Sequence, residues 1–189
     1  MLDFDIVIIC ILFVVYLVTA AFLKFKSAKS NAYLVIYTFF FIYLSGVLKY
    51  TQFPIMLMNG NTLEQNVGSF INYVPLLNLD RGDIETSVLN IILAMPFGIL
   101  LPMMKRKSLK QMLAYGVLFG FLIELIQLLV ALIVGFTLRT IDINDIIFNF
   151  IGVMAGYVIY HIFIHILKKL ANKFSLPMDF LVRHLLQEK

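Results

Sequence analysis

The chain alternates long apolar runs with short polar segments. Each apolar run has about 17 to 25 residues, which is long enough to cross a hydrocarbon core of about 30 Å as an α-helix. There are five such runs, at residues 4–23, 32–48, 87–104, 111–136 and 146–167. The pattern predicts an all-α fold, a polytopic membrane helical bundle with five transmembrane helices, formed by residues 1–189 as a single integral membrane domain.

The composition agrees with this prediction. Hydrophobic residues make up 61% of the 189 residues, charged residues make up 14%, and the mean hydropathy is +0.95. A soluble domain has about half apolar and a quarter charged residues. The net charge of +4 comes from Lys and Arg clusters between the apolar runs, so nucleic-acid binding is not expected. Neither a metal site nor a cofactor is expected. Cys10 is the only cysteine, the pair His161 and His165 has no acidic or Cys partner, and no phosphate-binding glycine loop occurs.

The basic residues predict the orientation. Segments 24–31, 105–110 and 168–189 hold 12 of the 15 Lys and Arg residues, and the others are Lys49, Arg81 and Arg139. Because positive charge is retained in the cytoplasm, the N-terminus is expected outside and the C-terminus inside. Residues 49–86 then form an external segment, and residues 168–189 form a cytoplasmic amphipathic tail.

Polar and small residues recur every three or four positions in the last three apolar runs, so each set lies on one helix face. The glycines of these faces allow helices to approach closely in lipid, and we expect them to pack helices together. The packing residues are Gly98, Gly116, Gly120, Gly152 and Gly156. The polar members are expected to bind a ligand, and they are Asn90, Glu124, Gln127, Arg139, Asp142, Asp145 and Asn149.

The polar residues are predicted to surround a funnel that opens to the outside. At 1.5 Å per residue, Glu124 lies roughly 18 Å below the outer end of its helix, whereas Asn90 and Asn149 lie roughly 5 Å below theirs. Glu124 is therefore expected at the floor, with Arg139 and Asp142 in the loop above it. A charged group at that depth is a functional candidate. The structural alternative is that Glu124 and Gln127 only lock helices through hydrogen bonds. In that alternative Arg139 forms a loop salt bridge with Asp142 and Asp145, which also cap the start of a helix.

Four strings occur in a fixed order along the chain. They are Asn72-Tyr73-Val74-Pro75-Leu76, Asn90 to Gly98 with Met95-Pro96-Phe97, Glu124-x-x-Gln127, and Arg139-x-x-Asp142-x-x-Asp145-x-x-x-Asn149-x-x-Gly152-x-x-x-Gly156. In this order and spacing they resemble the VanZ-like membrane protein family over about residues 70–160. One departure is Ala94, where the family usually has a bulkier residue.

The resemblance implies a multi-pass protein of the bacterial plasma membrane whose relatives lower susceptibility to teicoplanin and related glycopeptide or lipoglycopeptide antibiotics. We therefore expect the funnel to bind membrane lipids, a lipid-linked envelope precursor or an amphiphilic antibiotic. One alternative is an intramembrane enzyme in which Glu124 or Asp145 is the catalytic base. Another is a structural partner subunit, and the oligomeric state is left open.

Overall fold

A computed structural model of the protein describes residues 1–55, 71–72, 74–75, 81–134, 141–174 and 180–186. Five of the described helices are long and apolar enough to cross a membrane, which confirms the predicted all-α membrane bundle. The elements are α1 (Ile6–Ala21) with a π-helical turn (Phe22–Lys26), α2 (Asn31–Gln52), β1 (Ile71–Asn72), α3 (Arg81–Met104), α4 (Leu109–Val134), β2 (Ile141–Asp142), α5 (Ile143–Phe174) and α6 (Phe180–Leu186).

Local side chains define where helices begin and end. The Asp5 carboxylate accepts hydrogen bonds from the first backbone N–H groups of α1, at 3.1 Å each. Ser30 caps α2 in the same way, and Ser108 and Gln111 form a reciprocal capping box at the start of α4. At its other end α2 stops before Phe53, whose extended backbone is the conformation that the following Pro54 favours.

The helices extend beyond the apolar runs that predicted them. Residues 49–52 form the last turn of α2, and residues 81–86 form the first turns of α3. Helix α5 begins three residues before its apolar run and continues to Phe174 through Lys168, Lys169 and Lys173. Backbone hydrogen bonding continues into the polar interface, whereas hydropathy marks only the part of a helix that crosses hydrocarbon.

Helices α3 and α5 run parallel and touch backbone to backbone. Ile91 lies against Gly152, and Met95 lies against Gly156, so the contacts advance in step along both helices. A Cβ atom would collide with a facing carbonyl oxygen at three positions, Gly98 (on Val153), Gly152 (on Ile91) and Gly156 (on Met95). This pair is therefore the tightest packing in the described bundle.

Ala94 belongs to the same interface. Its side chain is fully buried, and its Cβ lies 2.9 Å from the position that a Cβ on Gly152 would occupy. A bulkier residue at this position would require α3 and α5 to move apart.

Helix α4 packs antiparallel against α5 and adds the third wall of the core. A Cβ at Gly116 would lie 2.9 Å from the ring of Phe150, and one at Gly120 would lie 2.9 Å from the carbonyl oxygen of Ile146. Met112, Phe119 and Ile123 are buried along the same helix. The two glycines thus bring α4 close to the first half of α5.

The other helices lie around this core. Helix α1 has no buried residue, and it is held to α2 by hydrogen bonds that include Tyr16 with Thr38 at 2.8 Å. Helix α6 packs at the end of the bundle where α3 finishes and α4 begins. The Arg106 guanidinium there donates a hydrogen bond to the carbonyl oxygen of Leu186. Leu185 and Leu186 are buried, so this part of the predicted tail packs into the bundle.

The bundle has two chemically different ends. We call the end at which α2 and α4 finish and α3 and α5 begin the carboxylate end, because Glu124 and Asp142 meet there. The other end is the basic end. It carries eleven of the described basic residues, Lys24, Lys26, Lys29, Lys105, Arg106, Lys107, Lys110, Lys168, Lys169, Lys173 and Arg183.

Candidate functional site

A pair of short parallel strands forms one side of the carboxylate end. Asn72 of β1 is in register with Asp142 of β2, and its side-chain amide donates to both carboxylate oxygens of Asp142 at 3.1 Å. The same carboxylate accepts a hydrogen bond from the backbone N–H of Asn144 at 2.8 Å. Asp142 therefore caps the N-terminus of α5, as the structural alternative expected, and also ties β1 to it.

Glu124 joins α4 to this strand pair. Its side chain is only 4% exposed, and Oε2 accepts a hydrogen bond from the backbone N–H of Asp142 at 3.1 Å. The carboxylate thus anchors β2 at the point where the chain turns into α5.

The order of these residues along the bundle axis differs from the predicted funnel. Glu124 is level with the start of α5, because it contacts Asp142. Asn149 instead lies beside Gly120, 3.3 Å from the position of its added Cβ, and Gly120 is one turn nearer the basic end. The prediction that Glu124 forms the floor of the funnel is wrong, because Asn149 lies deeper. Helix α4 extends about 15 Å beyond Glu124, whereas α5 begins level with Glu124. The distance of Glu124 from the end of its own helix therefore does not measure its depth in the bundle.

Gln127 connects α4 with the end of α2. Its Nε2 donates to the carbonyl oxygen of Thr51 at 3.1 Å, which fixes the orientation of the amide and leaves Oε1 as an acceptor. That oxygen is buried and has no hydrogen-bond partner among the described residues. Thr51 and Gln52 are also buried, and the Thr51 hydroxyl donates to the carbonyl oxygen of Val47 at 2.9 Å. Because its proton is donated to a backbone carbonyl, the Thr51 hydroxyl is not activated as a nucleophile by a general base.

Asn90 and Asn149 lie deeper, on α3 and α5. Asn149 is only 1% exposed, and its Oδ1 has no hydrogen-bond partner among the described residues. The same holds for Nδ2 of the half-buried Asn90. Each unsatisfied buried polar atom costs about 1–3 kcal/mol, so native proteins contain few of them. Three such atoms at one end of a bundle indicate a place for a polar molecule or water.

The predicted site residues are only partly brought together. Glu124, Gln127 and Asp142 lie at the carboxylate end with Asn90 and Asn149 beneath them. Asp145 is half-buried in the first turn of α5, where an acidic residue is favoured by the helix dipole. Arg139 lies outside the described residues. The arrangement can hold a polar group by hydrogen bonds. The glycines of α3, α4 and α5 keep the helices that carry these polar residues close together.

Sequence reasoning missed four polar residues of this region. Asn144 is buried beside Asp142, and Thr51 and Gln52 are buried at the end of α2. Asn72 was quoted only as part of a family string, although its amide contacts a predicted site residue. A signal was present for Thr51 and Gln52, because two adjacent polar residues directly follow an apolar run. No periodic pattern marks Asn72 or Asn144.

Comparison with known proteins agrees with this arrangement. The sequence model of the VanZ/LLP1 family matches residues 7–164, which includes α1 and α2 as well as the part from which the resemblance was drawn. No curated protein and no solved structure matches the chain. Since the match covers most of the chain and ends within α5, the five-helix bundle is that of a VanZ/LLP1 family membrane protein, and the chain belongs to this family.

Proposed function

We propose that the protein binds the polar head of an amphiphilic or lipid-linked cell-envelope component at the carboxylate end and thereby lowers glycopeptide or lipoglycopeptide susceptibility. The observation that supports this proposal is the set of three buried polar atoms without partners among the described residues, on Asn90, Gln127 and Asn149. They lie on three different helices around the anchored Glu124. A ligand that hydrogen-bonds to them would remove the cost of their burial.

The polar groups of the site indicate what the ligand offers. Gln127 Oε1 and Asn149 Oδ1 are acceptors, whereas Asn90 Nδ2 is a donor. Such a surface suits a ligand with hydroxyl or amide groups, which both donate and accept hydrogen bonds and which the sugars and peptides of envelope precursors carry. We expect Arg139, predicted from the sequence, to add the contact to a phosphate or carboxylate of the same ligand.

The short strands are held by residues of the proposed site. Non-helical backbone at membrane depth is tolerated only where protein buries it or where it lines a polar cavity. Ile141 of β2 is buried, and its neighbour Asp142 is bound through both its backbone and its side chain. The strand pair is therefore stabilised by the same residues that we propose for binding.

The charge distribution supports an outward-facing site. Eleven described Lys and Arg residues lie at the basic end, and positive residues are retained on the cytoplasmic side of a membrane. In this proposal the protein is in the bacterial plasma membrane, and the carboxylate end faces the cell wall. The ligand is then within reach of the leaflet in which lipid-linked wall precursors are used.

Glu124→Gln is the variant that tests the proposal. Glutamine keeps an oxygen that can accept from the N–H of Asp142, so β2 stays anchored while the acidic group is removed. We expect the variant to reach the membrane at the wild-type level and to lose protection against teicoplanin in a susceptible host. The matched control is Glu85→Gln, because Glu85 is an exposed carboxylate at the same end and its variant should protect fully.

The other outcomes have distinct meanings. Full protection by Glu124→Gln at normal protein levels would overturn the proposal. A lower thermal stability with unchanged protection per folded molecule would support the structural alternative. Lipid mass spectrometry of expressing cells distinguishes binding from catalysis, because a new lipid product that Glu124→Gln abolishes would make the protein an enzyme.

A further inference from the structure

An apolar groove lies between α2 and α4 and ends beside the polar site. Its volume is about 280 Å³. Thr51 and Gln52 form its polar end, and the rest of the lining is almost entirely apolar. The apolar lining includes Leu44, Val47 and Leu48 of α2 and Leu118, Leu122 and Ile126 of α4.

The groove has the dimensions of one hydrocarbon chain. It follows α4 from Tyr115 to Ile126, which is about 16 Å at 1.5 Å per residue. This is about half of a 30 Å hydrocarbon core, or the depth of one leaflet. A helix about 10 Å wide over the same length would need more than about 1,000 Å³, far more than the groove offers, whereas a single extended hydrocarbon chain is much thinner.

The groove connects directly with the proposed binding site. The carbonyl oxygen of Thr51, at its polar end, accepts the hydrogen bond from the Gln127 amide at 3.1 Å. Ile123 and Ile126 line the groove, and Glu124 and Gln127 follow them on the same helix. A chain in the groove would therefore hold its attached head group at the carboxylate end.

We propose that this groove holds one hydrocarbon chain of a membrane lipid, which enters sideways between α2 and α4 from the leaflet at the carboxylate end. The head group of that lipid then occupies the polar site, and this part of the inference rests on the proposed function. The chain-binding part stands on the groove itself. The ligand is accordingly a lipid rather than a water-soluble molecule that arrives from outside the membrane.

Photo-crosslinking tests the occupancy of the groove. The full-length protein is reconstituted in phosphatidylcholine vesicles that contain a minor fraction of phosphatidylglycerol with a diazirine in one acyl chain. It is then extracted into detergent to remove loosely held lipid, irradiated and digested, and adducts are mapped by mass spectrometry. We expect adducts on residues 44–52 and 115–126 to exceed those on the lipid-facing part of α5, residues 158–166, several-fold. An even distribution would overturn the proposal.

A matched pair of variants makes the test specific. Leu122 is 42% exposed and lines the groove, whereas Leu113 is 40% exposed on the same helix and does not line it. Leu122→Trp should reduce the groove adducts several-fold, and Leu113→Trp should leave them unchanged. Leu118→Phe serves as a second blocking variant if Leu122→Trp does not fold. Undiminished groove adducts in a folded blocking variant would overturn the proposal.

The two proposals fail in different ways. If Glu124→Gln loses protection while the wild-type groove takes no photolabel, the groove proposal is wrong and head-group binding stands. If the groove is labelled in wild type and in Glu124→Gln but protection is unchanged by that variant, lipid-chain binding stands and the proposed function is wrong.

Discussion

The Asn149 Oδ1 atom, which has no partner among the described residues, allows ligand binding to be separated from helix locking. Leucine has the same number of side-chain heavy atoms as asparagine but no polar atom. Asn149 is 1% exposed, and its Oδ1 has no partner among the described residues. If the amide is kept for a ligand, Asn149→Leu should make the empty protein more stable and the site less able to bind.

The expected gain follows from the cost of a buried unsatisfied group, about 1–3 kcal/mol. For a chain of this size, 1 kcal/mol shifts the melting temperature by about 2–4 °C. Asn149→Leu should therefore raise the melting temperature in detergent by roughly 2 °C to 12 °C, less whatever strain the branched side chain introduces beside Gly120. Protection against teicoplanin should fall to the level of cells without the protein.

The assay combines thermal unfolding of the purified variant in detergent with susceptibility of cells that contain equal amounts of protein in the membrane. Asn172→Leu is the control, because Asn172 is an exposed asparagine on the same helix and its replacement should change neither measurement. A lower melting temperature for Asn149→Leu would refute the reasoning, since it would mean that the amide stabilises the folded chain. Unchanged protection would show that the amide has no part in binding.

Three further predictions concern the scaffold. Gly156→Ala should abolish folding, measured as the yield of monodisperse protein, because its Cβ would meet a backbone carbonyl of α3. Gly46→Ala is the control, because a Cβ added at Gly46 has no heavy atom within 4 Å. That variant should be as stable as wild type or gain up to about 1 kcal/mol from helix propensity. Ala28→Gly should raise the melting temperature by about 2–4 °C, since Ala28 has a φ of 48°, and Ala28→Val should lower it. Tyr43→Phe should cost about 0.5–1.5 kcal/mol in unfolding free energy, because it removes the 2.8 Å hydrogen bond from the Tyr43 hydroxyl to the Leu93 carbonyl. An unchanged melting temperature in Gly156→Ala, in either Ala28 variant or in Tyr43→Phe would contradict the packing or backbone argument behind it.

The fold was largely predictable because lipid imposes a strong local rule. A spanning segment must be apolar and must satisfy its own backbone hydrogen bonds, so hydropathy identifies helices such as α1 and α4 directly. The same rule says nothing about where a helix ends in the interface, and α5 accordingly runs to Phe174. The period of three and four predicted which faces of α3, α4 and α5 meet, because glycine faces pack closely in any membrane bundle.

The site was less predictable because its geometry depends on loops. Periodicity places Glu124 and Gln127 on one face of α4, but it does not determine their position along the bundle axis relative to the other helices. The level follows from Asp142, whose backbone N–H binds Glu124, and from Asn149, which lies beside Gly120. Asn72 reaches Asp142 from a distant part of the chain, and no sequence spacing determines such a contact.

The sequence by itself determined that this is a five-helix membrane protein, which helix faces are polar or small, and which chemical groups the polar faces carry. These properties depend on side-chain chemistry and helical period, both of which are local. Only the tertiary structure decided how far the helices slide past one another, which polar atoms find partners, and where a groove opens between α2 and α4. Those properties depend on contacts between residues far apart in the chain, and the close approach of the glycine faces fixes them.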